Sequence, residues 1–259
     1  MEQGEKESKT IKSVENAILI LEELRRTGQV GVTELSDRIG LSKGTVHHYL
    51  ATLRKQNFVE KTDGAYQLGL RPLSYGGAAR ERERVFQIGK DGVDRLAAAT
   101  GETARLVVER QGYTVTLYQS THHDRETIPT HLGIQEDLHS TAAGKAMLSV
   151  MTDSTIDEVL ERNVEYHTDN TTTETETLRS EIEEIRSRGI AFDDQEQFDG
   201  IRCVATALAT EVDELLGAIS VSGPVDRIDD ETFHETIPQE IRNVSGVIEI
   251  NSTYRDWME

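Results

Sequence analysis

The chain has 259 residues, a formal net charge of −19, 36% hydrophobic residues and a single cysteine. One cysteine excludes an intrachain disulfide and a multi-cysteine zinc site, and no apolar run reaches the length of a membrane span. The polar start, Met1 to Lys9, lacks the hydrophobic region of a signal peptide, so the expected location is the cytoplasm.

The charge is unevenly distributed. Residues 1–80 carry 12 Lys+Arg against 10 Asp+Glu, a net +2, which leaves 16 against 37, a net −21, for residues 81–259. A mildly cationic head can bind phosphates locally, whereas the acidic remainder repels them and calls for a different partner. The acidity, with fewer lysines than arginines, also predicts a protein kept soluble in concentrated salt.

In chain order, a polar tail over 2–12 leads into a helix with Val14, Ala17, Ile18, Leu21 and Leu24 on one face. Thr33 is the expected N-cap of a second helix carrying Leu35 and Ile39, which Gly40 ends. Ser42 is the expected N-cap of a third, with Val46, Leu50 and Leu53 at i, i+4 and i+7. The opposite face of that helix carries Lys43, Gly44, His47, His48, Ala51 and Arg54. Phe58-Val59 and Tyr66-Gln67-Leu68 read as strands around Asp63-Gly64, a tight hairpin. Two capped helices followed by a hairpin are the order of a winged helix-turn-helix, which makes double-stranded DNA the expected partner. Lys43, Thr45, His47 and His48 are expected to face operator bases, with Arg54 and Lys55 nearer the backbone.

Pro72 and Gly76-Gly77 punctuate the chain, and a domain boundary is expected near 76–82. A helix with Val85, Ile88, Val93 and Leu96 follows and stops at Gly101. Alternating residues from Ala104 to Val108 and from Val115 to Leu117 predict strands. Helices are expected around 143–150 and 153–162, a loop over 167–177, and another helix ending near Gly189. Strands are expected at 190–193, 202–209 and 215–222, then a helix after Asp229 with a break or first turn at Pro238. Mixed elements without βαβ alternation predict an α+β domain. His122, His123, Asp124, His131 and His139 match no compact ligand spacing, so neither a metal nor a cofactor is expected.

Seven stretches together resemble IclR-type transcriptional regulators over nearly the whole chain. They are Val32-Thr33-Glu34-Leu35, Leu41 to His47, Tyr66-Gln67-Leu68-Gly69, Gly101-Glu102-Thr103, Leu138 to Ala146, Ile185 to Gly189, and Ala218 to Pro224. The resemblance implies an α+β protein. A winged helix-turn-helix over 1–75 and a linker helix over 76–100 would lead to a GAF-like effector-binding domain over 101–259. It implies a homodimer or dimer of dimers, and the acidity points to a halophilic archaeal source. Carried over by position, the effector site would comprise Ala142, Ala143, Asp193, Ile201, Cys203, Ser220 and Ser222. Alternation puts Ser220 and Ser222 together on one face of their strand and Ile201 and Cys203 together on one face of theirs, and free N–H groups at the helix start near Ala143-Gly144 would suit an anion. His48 stands where the family commonly has arginine, and Gly44 where it has serine, so no operator sequence is inferred.

The function that the resemblance implies is DNA binding modulated by a small metabolite, a carboxylate or sugar-derived acid, controlling a catabolic operon. Two rivals stand beside it. One is a GAF-fold enzyme using Cys203 as nucleophile, which would need a positioned base or cation that Arg202, on the opposite face of a strand, does not supply. The other is an architectural DNA-binding protein whose second domain only oligomerises.

Overall fold

The computed structural model describes residues 9–121, 128–162, 164–210 and 214–256. The chain divides into two compact units, Met1–Ala79 and Arg80–Glu259. His122, His123 and Asp124 lie outside the described residues.

In the first unit, helix α1 (Lys12–Thr27), strand β1 (Gln29–Val30), helices α2 (Val32–Ile39) and α3 (Lys43–Lys55), strands β2 (Val59–Thr62) and β3 (Ala65–Leu68) and helix α4 (Arg71–Arg80) follow one another. Their core is Ile20, Leu24, Val30, Leu35, Val46, Leu50, Val59 and Tyr66. Ser42 caps α3, its hydroxyl accepting the Thr45 N–H at 3.2 Å, as the sequence predicts. Gly40 takes φ 68°, and its αL conformation makes the sharp turn between α2 and α3. The Asp63-Gly64 turn has φ 52° and 88°, two positive angles that suit a tight hairpin. The Lys61 ammonium stands over the Tyr66 ring beneath that turn.

Several local expectations are corrected. Gly31, not Thr33, is the N-cap of α2, because Val32 already has helical geometry and puts Thr33 inside the first turn. The buried face of α1 is Ile20 and Leu24, while Val14 and Ile18 are exposed, a rotation of the stripe that pattern alone does not show. Pro72 and Gly76-Gly77 do not break the chain but lie within α4, where proline is tolerated in the first turn. Strand β1 has no signal in the sequence because two residues carry no periodicity. It pairs with β3, giving the order β1-β3-β2.

Among the described residues, the second unit holds a six-stranded antiparallel sheet in the order β6-β5-β4-β9-β8-β7. Its strands are β4 (Thr103–Arg110), β5 (Tyr113–Thr121), β6 (Gln135–Asp137), β7 (Ala191–Asp194), β8 (Ile201–Ala209) and β9 (Leu215–Pro224). The sheet is buried on both faces. Ala104, Leu106, Val204, Leu208, Ile219 and Val221 turn toward α5 (Arg84–Thr100) and α9 (Ile237–Asp256). Val107, Ala191, Cys203, Ala205 and Ala218 turn toward α6 (Ala142–Leu148), α7 (Asp153–Arg162) and α8 (Thr175–Arg188). Period-two alternation decides which residue goes to which face.

The span 76–100, read as a linker, comprises the end of α4 and all of α5, and α5 buries Val85, Phe86, Val93 and Leu96 in the second unit. Gly144 is a close approach: a Cβ there would sit 2.3 Å from the Leu138 carbonyl oxygen. That lets α6 lie directly against the chain leading into it. A π-helical turn, Thr232–Thr236, precedes α9 and places Pro238 in the first turn.

Candidate nucleic-acid interface and effector cleft

Helix α3 presents two faces. Val46 and Leu50 are fully buried against the core, while Ser42, Lys43, Gly44, His47, His48, Arg54 and Lys55 are exposed and Thr45 is half-buried. Lys43, His47, Ala51 and Arg54 fall at i, i+4, i+8 and i+11, so they form one stripe along the exposed side. His48 and Lys55 lie beside it. No carboxylate among the described residues pairs with Lys43, Arg54 or Lys55, in contrast to the cations of α1 and α2. There Arg26 pairs with Glu23, and Arg38 bridges Glu23 and Glu34, tying the two helices together. Local carboxylates thus neutralise the supporting helices and leave the exposed cations of α3 free for an outside anion. Such a face, with a hairpin wing beside it, can lie along a major groove and donate to base edges and phosphates.

The second site lies on the α6 face of the sheet. Asp193 from the end of β7, Ile201 and Cys203 from β8 and Ser222 from β9 line one narrow cleft. Strand register explains the grouping, because Cys203 is paired with Asp193 on one side and Ser222 on the other. The Ser222 hydroxyl donates to the Cys203 sulfur at 3.0 Å. Asp193 Oδ1 accepts the N–H groups of Glu196 at 2.7 Å and Gln197 at 3.4 Å, so Asp193 both lines the cleft and caps the turn after β7. Burial pushes its carboxyl up to about 7, repulsion from Glu196 adds to this, and Lys145 opposes it.

The other positions expected in this site are placed beside it. Ala142 and Ala143 are buried in the first turn of α6, and the neighbouring Gly144 N–H is occupied by the Thr141 hydroxyl at 3.1 Å. The expectation of a free donor at Gly144 is therefore corrected: a local cap satisfies it. Ser220 is fully buried opposite Arg105, and its hydroxyl has no hydrogen-bond partner among the described residues.

Arg105, Glu136 and Gln197 are among the lining residues that the sequence pattern does not reveal. Arg105 is flanked by Ala104 and Leu106, so the pattern reads it as an exposed strand position. Only a sheet covered on both faces turns that position inward. Gln197 accepts the Ser140 hydroxyl at 2.5 Å, joining the turn after β7 to the start of α6.

Burial pushes the Cys203 thiol up to about 11, against the pull of Arg105, so the group is a thiol at neutral pH. Arg202 belongs to the other face, where it pairs with Asp194 at 3.0 Å and lies over Phe233. Arg105 is a cation beside the thiol, but burial outweighs it, so a nucleophilic thiolate is disfavoured at this position. Among the described residues there is no cluster of three or more His, Cys, Asp or Glu that could hold a metal, and no helix long and apolar enough to cross a membrane.

Two family models cover most of the chain: the IclR helix-turn-helix domain matches residues 13–63, and the bacterial transcriptional regulator IclR C-terminal domain matches residues 78–249. The chain is 31% identical to the "Probable HTH-type transcriptional regulator ArcR" of Halobacterium salinarum, over 94% of this chain and 95% of that one. Among solved structures it is similar to the IclR protein of Thermotoga maritima. The TM-score is 0.78 at 26% identity, over 93% of this chain and 99% of that one. It also shares the fold of an IclR homologue from Microbacterium hydrocarbonoxydans crystallised with 4-hydroxybenzoate. That TM-score is 0.74 at 18% identity, over 90% of this chain and 98% of that one. The chain belongs to the IclR family of transcriptional regulators, whose members bind DNA through the helix-turn-helix part and a small-molecule effector through the C-terminal part.

Proposed function

We propose that this protein is a homo-oligomeric operator-binding regulator whose affinity for DNA is set by a small organic acid held in the cleft of the second unit. The observation that carries the reading is the pairing, in one chain, of an exposed and unneutralised cationic stripe on α3 with a buried polar cleft in the separate, acidic unit. Residues 1–75 bind the operator, 76–100 form the connection and 101–259 receive the effector. In the α3 region, Ser42, Lys43, Gly44, Thr45, His47 and His48 meet the groove, and Arg54 and Lys55 meet phosphates. Around the cleft, Asp193, Cys203, Ser220 and Ser222 offer polar groups, and Ala142, Ala143 and Ile201 offer apolar ones.

An organic acid as effector is supported by the 4-hydroxybenzoate bound to the Microbacterium homologue. Self-association is supported by the exposed Ile11, Val14 and Ile18 on α1 and its N-cap. A dimer or dimer of dimers would set two winged helices against half-sites about one helical turn, or a multiple of it, apart. Ligand binding would change their relative placement, and so the fit to DNA. The regulated genes are those of a catabolic operon, and the protein acts in the cytoplasm. A halophilic archaeal source is supported by the acidity of residues 81–259 and by the Halobacterium relative.

The test is a genome-wide map of bound DNA in the native host, with and without a panel of carbon sources. Discrete sites upstream of one catabolic operon that change with one nutrient are expected. Discrete sites that no nutrient alters would favour the architectural alternative, and no enrichment would overturn the regulator reading.

A further inference from the structure

Four buried polar atoms on the α6 face of the sheet have no hydrogen-bond partner among the described residues: Arg105 Nε, Thr116 Oγ1, Glu136 Oε1 and Ser220 Oγ. The register brings them together. Arg105 is opposite Ser220 in β9, Val107 on the same face is opposite Thr116 in β5, and Glu136 in β6 is opposite Thr114. Buried groups without partners are rare, and several in one place mark a site whose donors and acceptors are meant for something else.

Arg105 is the centre of this group. Its side chain is 4% exposed, and among the described residues its one charged contact is Nη1 to Glu136 Oε2 at 2.6 Å. The guanidinium also faces the Cys203 thiol. A guanidinium has five N–H donors in a planar fork that fits a carboxylate through two parallel bonds, and here its hydrogen bond to Glu136 is single. Arg105 and Glu136 line the same cleft as Asp193, Cys203 and Ser222, and the free space there is only about 10 Å³, room for about one water. A ligand therefore enters this cleft by displacing something. Glu136 is the group most easily displaced. It belongs to β6, a three-residue strand that, among the described residues, pairs with β5 alone at the edge of the sheet.

We propose that Arg105 is the carboxylate-recognising residue of the effector cleft, and that Glu136 is a built-in competitor whose carboxylate occupies the guanidinium until that of a small organic acid replaces it. The inference rests on the reading that the cleft takes an organic acid, and it adds the residue that reads the acid and the contact that must break. The Ser222 hydroxyl and the unpartnered Ser220 hydroxyl lie on the same face to meet further ligand oxygens. Displacement of Glu136 also reaches α6. The next residue, Asp137, accepts the Thr141 hydroxyl through its backbone carbonyl at 2.9 Å, and that hydroxyl caps α6. A shift of β6 thus acts directly on the first turn of α6.

The experiment is calorimetric titration of the full chain with acetate, lactate, benzoate and 4-hydroxybenzoate and with the four matching amides. Wild type, E136Q, R105K and the double variant R105Q/E136Q are compared. The double variant replaces the ion pair with neutral groups, so it avoids the unpaired buried carboxylate that R105Q alone would leave. At least one acid is expected to bind wild type, with its amide at least about tenfold weaker. E136Q is expected to tighten that acid, because the competitor is gone. R105Q/E136Q is expected to lose at least about thirtyfold relative to E136Q, and R105K to fall between, since an ammonium cannot form the fork. Acid binding that R105Q/E136Q leaves intact, or that E136Q weakens, would overturn the role of this pair while the organic-acid reading stood. No binding of any acid to wild type or to E136Q would overturn both.

Discussion

Lys145 and Glu196 meet inside the second unit, Nζ to Oε1, at 2.5 Å, and the lysine is fully buried. Glu181 in α8 takes the same ammonium at 2.6 Å. The contact joins α6 to the turn after β7, the turn that Asp193 caps, so one buried cation ties together the elements beside the cleft. Burial alone would lower the Lys145 pKa, yet the two carboxylates outweigh it and the group stays charged.

Replacing Lys145 with methionine keeps most of the volume and removes the charge, leaving two carboxylates facing each other next to Asp193. The expected loss is about 3–5 kcal/mol of unfolding free energy, the usual consequence of breaking one side of a buried pair. Urea unfolding at neutral pH measures it, and K145M/E196Q is expected to recover a large part because the glutamates no longer repel. A loss in K145M below about 1 kcal/mol would mean that water replaces the lysine.

The cleft carries a pH dependence whose sign is fixed by Asp193. Its folded carboxyl is pushed up to about 7 by burial and by Glu196, while an unfolded aspartate titrates near about 3.9. Between those values the folded protein holds a proton that the unfolded chain has released, so stability falls as pH rises through this window and levels off above it. Glu196, also raised by burial, contributes with the same sign. D193N keeps a side-chain oxygen for the N–H groups of Glu196 and Gln197. From about pH 5 to about pH 8 the variant is therefore expected to lose less stability than wild type, read as urea midpoints. Parallel pH profiles would show that Asp193 is not the titrating group.

Most of the fold was legible because its signals are local. The Ser42 cap, the Asp63-Gly64 turn, the stops at Gly101 and Gly189 and the alternation in β8 and β9 each follow from residues within a few positions of one another. What escaped depends on distant partners. Strand β6 is three residues with no pattern of its own, formed because β5 offers it an edge. The exposed Val14 and Ile18 read as core because periodicity gives a stripe but not what the stripe faces. The cleft was half legible for the same reason. Asp193, Cys203 and Ser222 came from motif position, whereas Arg105 and Glu136 come together from strands 31 residues apart.

Cys203 offers a separate check on the cleft's closure. Its thiol is buried, receives the Ser222 hydroxyl and is pushed up to about 11. Alkylation by iodoacetamide at about pH 8 is expected to be at least about tenfold slower in the folded protein than in the urea-unfolded chain, because the thiolate is the reactive form. Equal rates would mean that the cleft opens freely and would reopen the case for a reactive cysteine.

The acidic unit predicts an unusual response to salt. With a net −21 over residues 81–259, self-repulsion opposes compaction at low ionic strength, and screening relieves it as the Debye length falls from about 10 Å to about 3 Å. The urea midpoint is therefore expected to rise steadily from about 0.1 M to about 1 M KCl. A maximum near ordinary ionic strength would refute adaptation to concentrated salt.

The α3 stripe separates two kinds of contact that salt can tell apart. If Arg54 and Lys55 meet phosphates, R54A and K55A should weaken binding to all DNA sequences alike, and each should reduce the slope of log affinity against log salt by about 1. If His47 reads a base edge, H47A should cost about 1–3 kcal/mol on the operator alone, leave the slope nearly unchanged and relax preference at one base pair. Lys43, at the first turn of the helix and without a carboxylate partner among the described residues, can reach either a base or a phosphate, and K43A assigns it by the same two readouts. Fluorescence anisotropy on operator and scrambled duplexes across a salt series measures all four variants. Operator affinity that K43A and H47A both leave unchanged would remove α3 from the interface. That outcome would shift recognition to the wing, where Lys61 at the Asp63-Gly64 hairpin is the exposed cation.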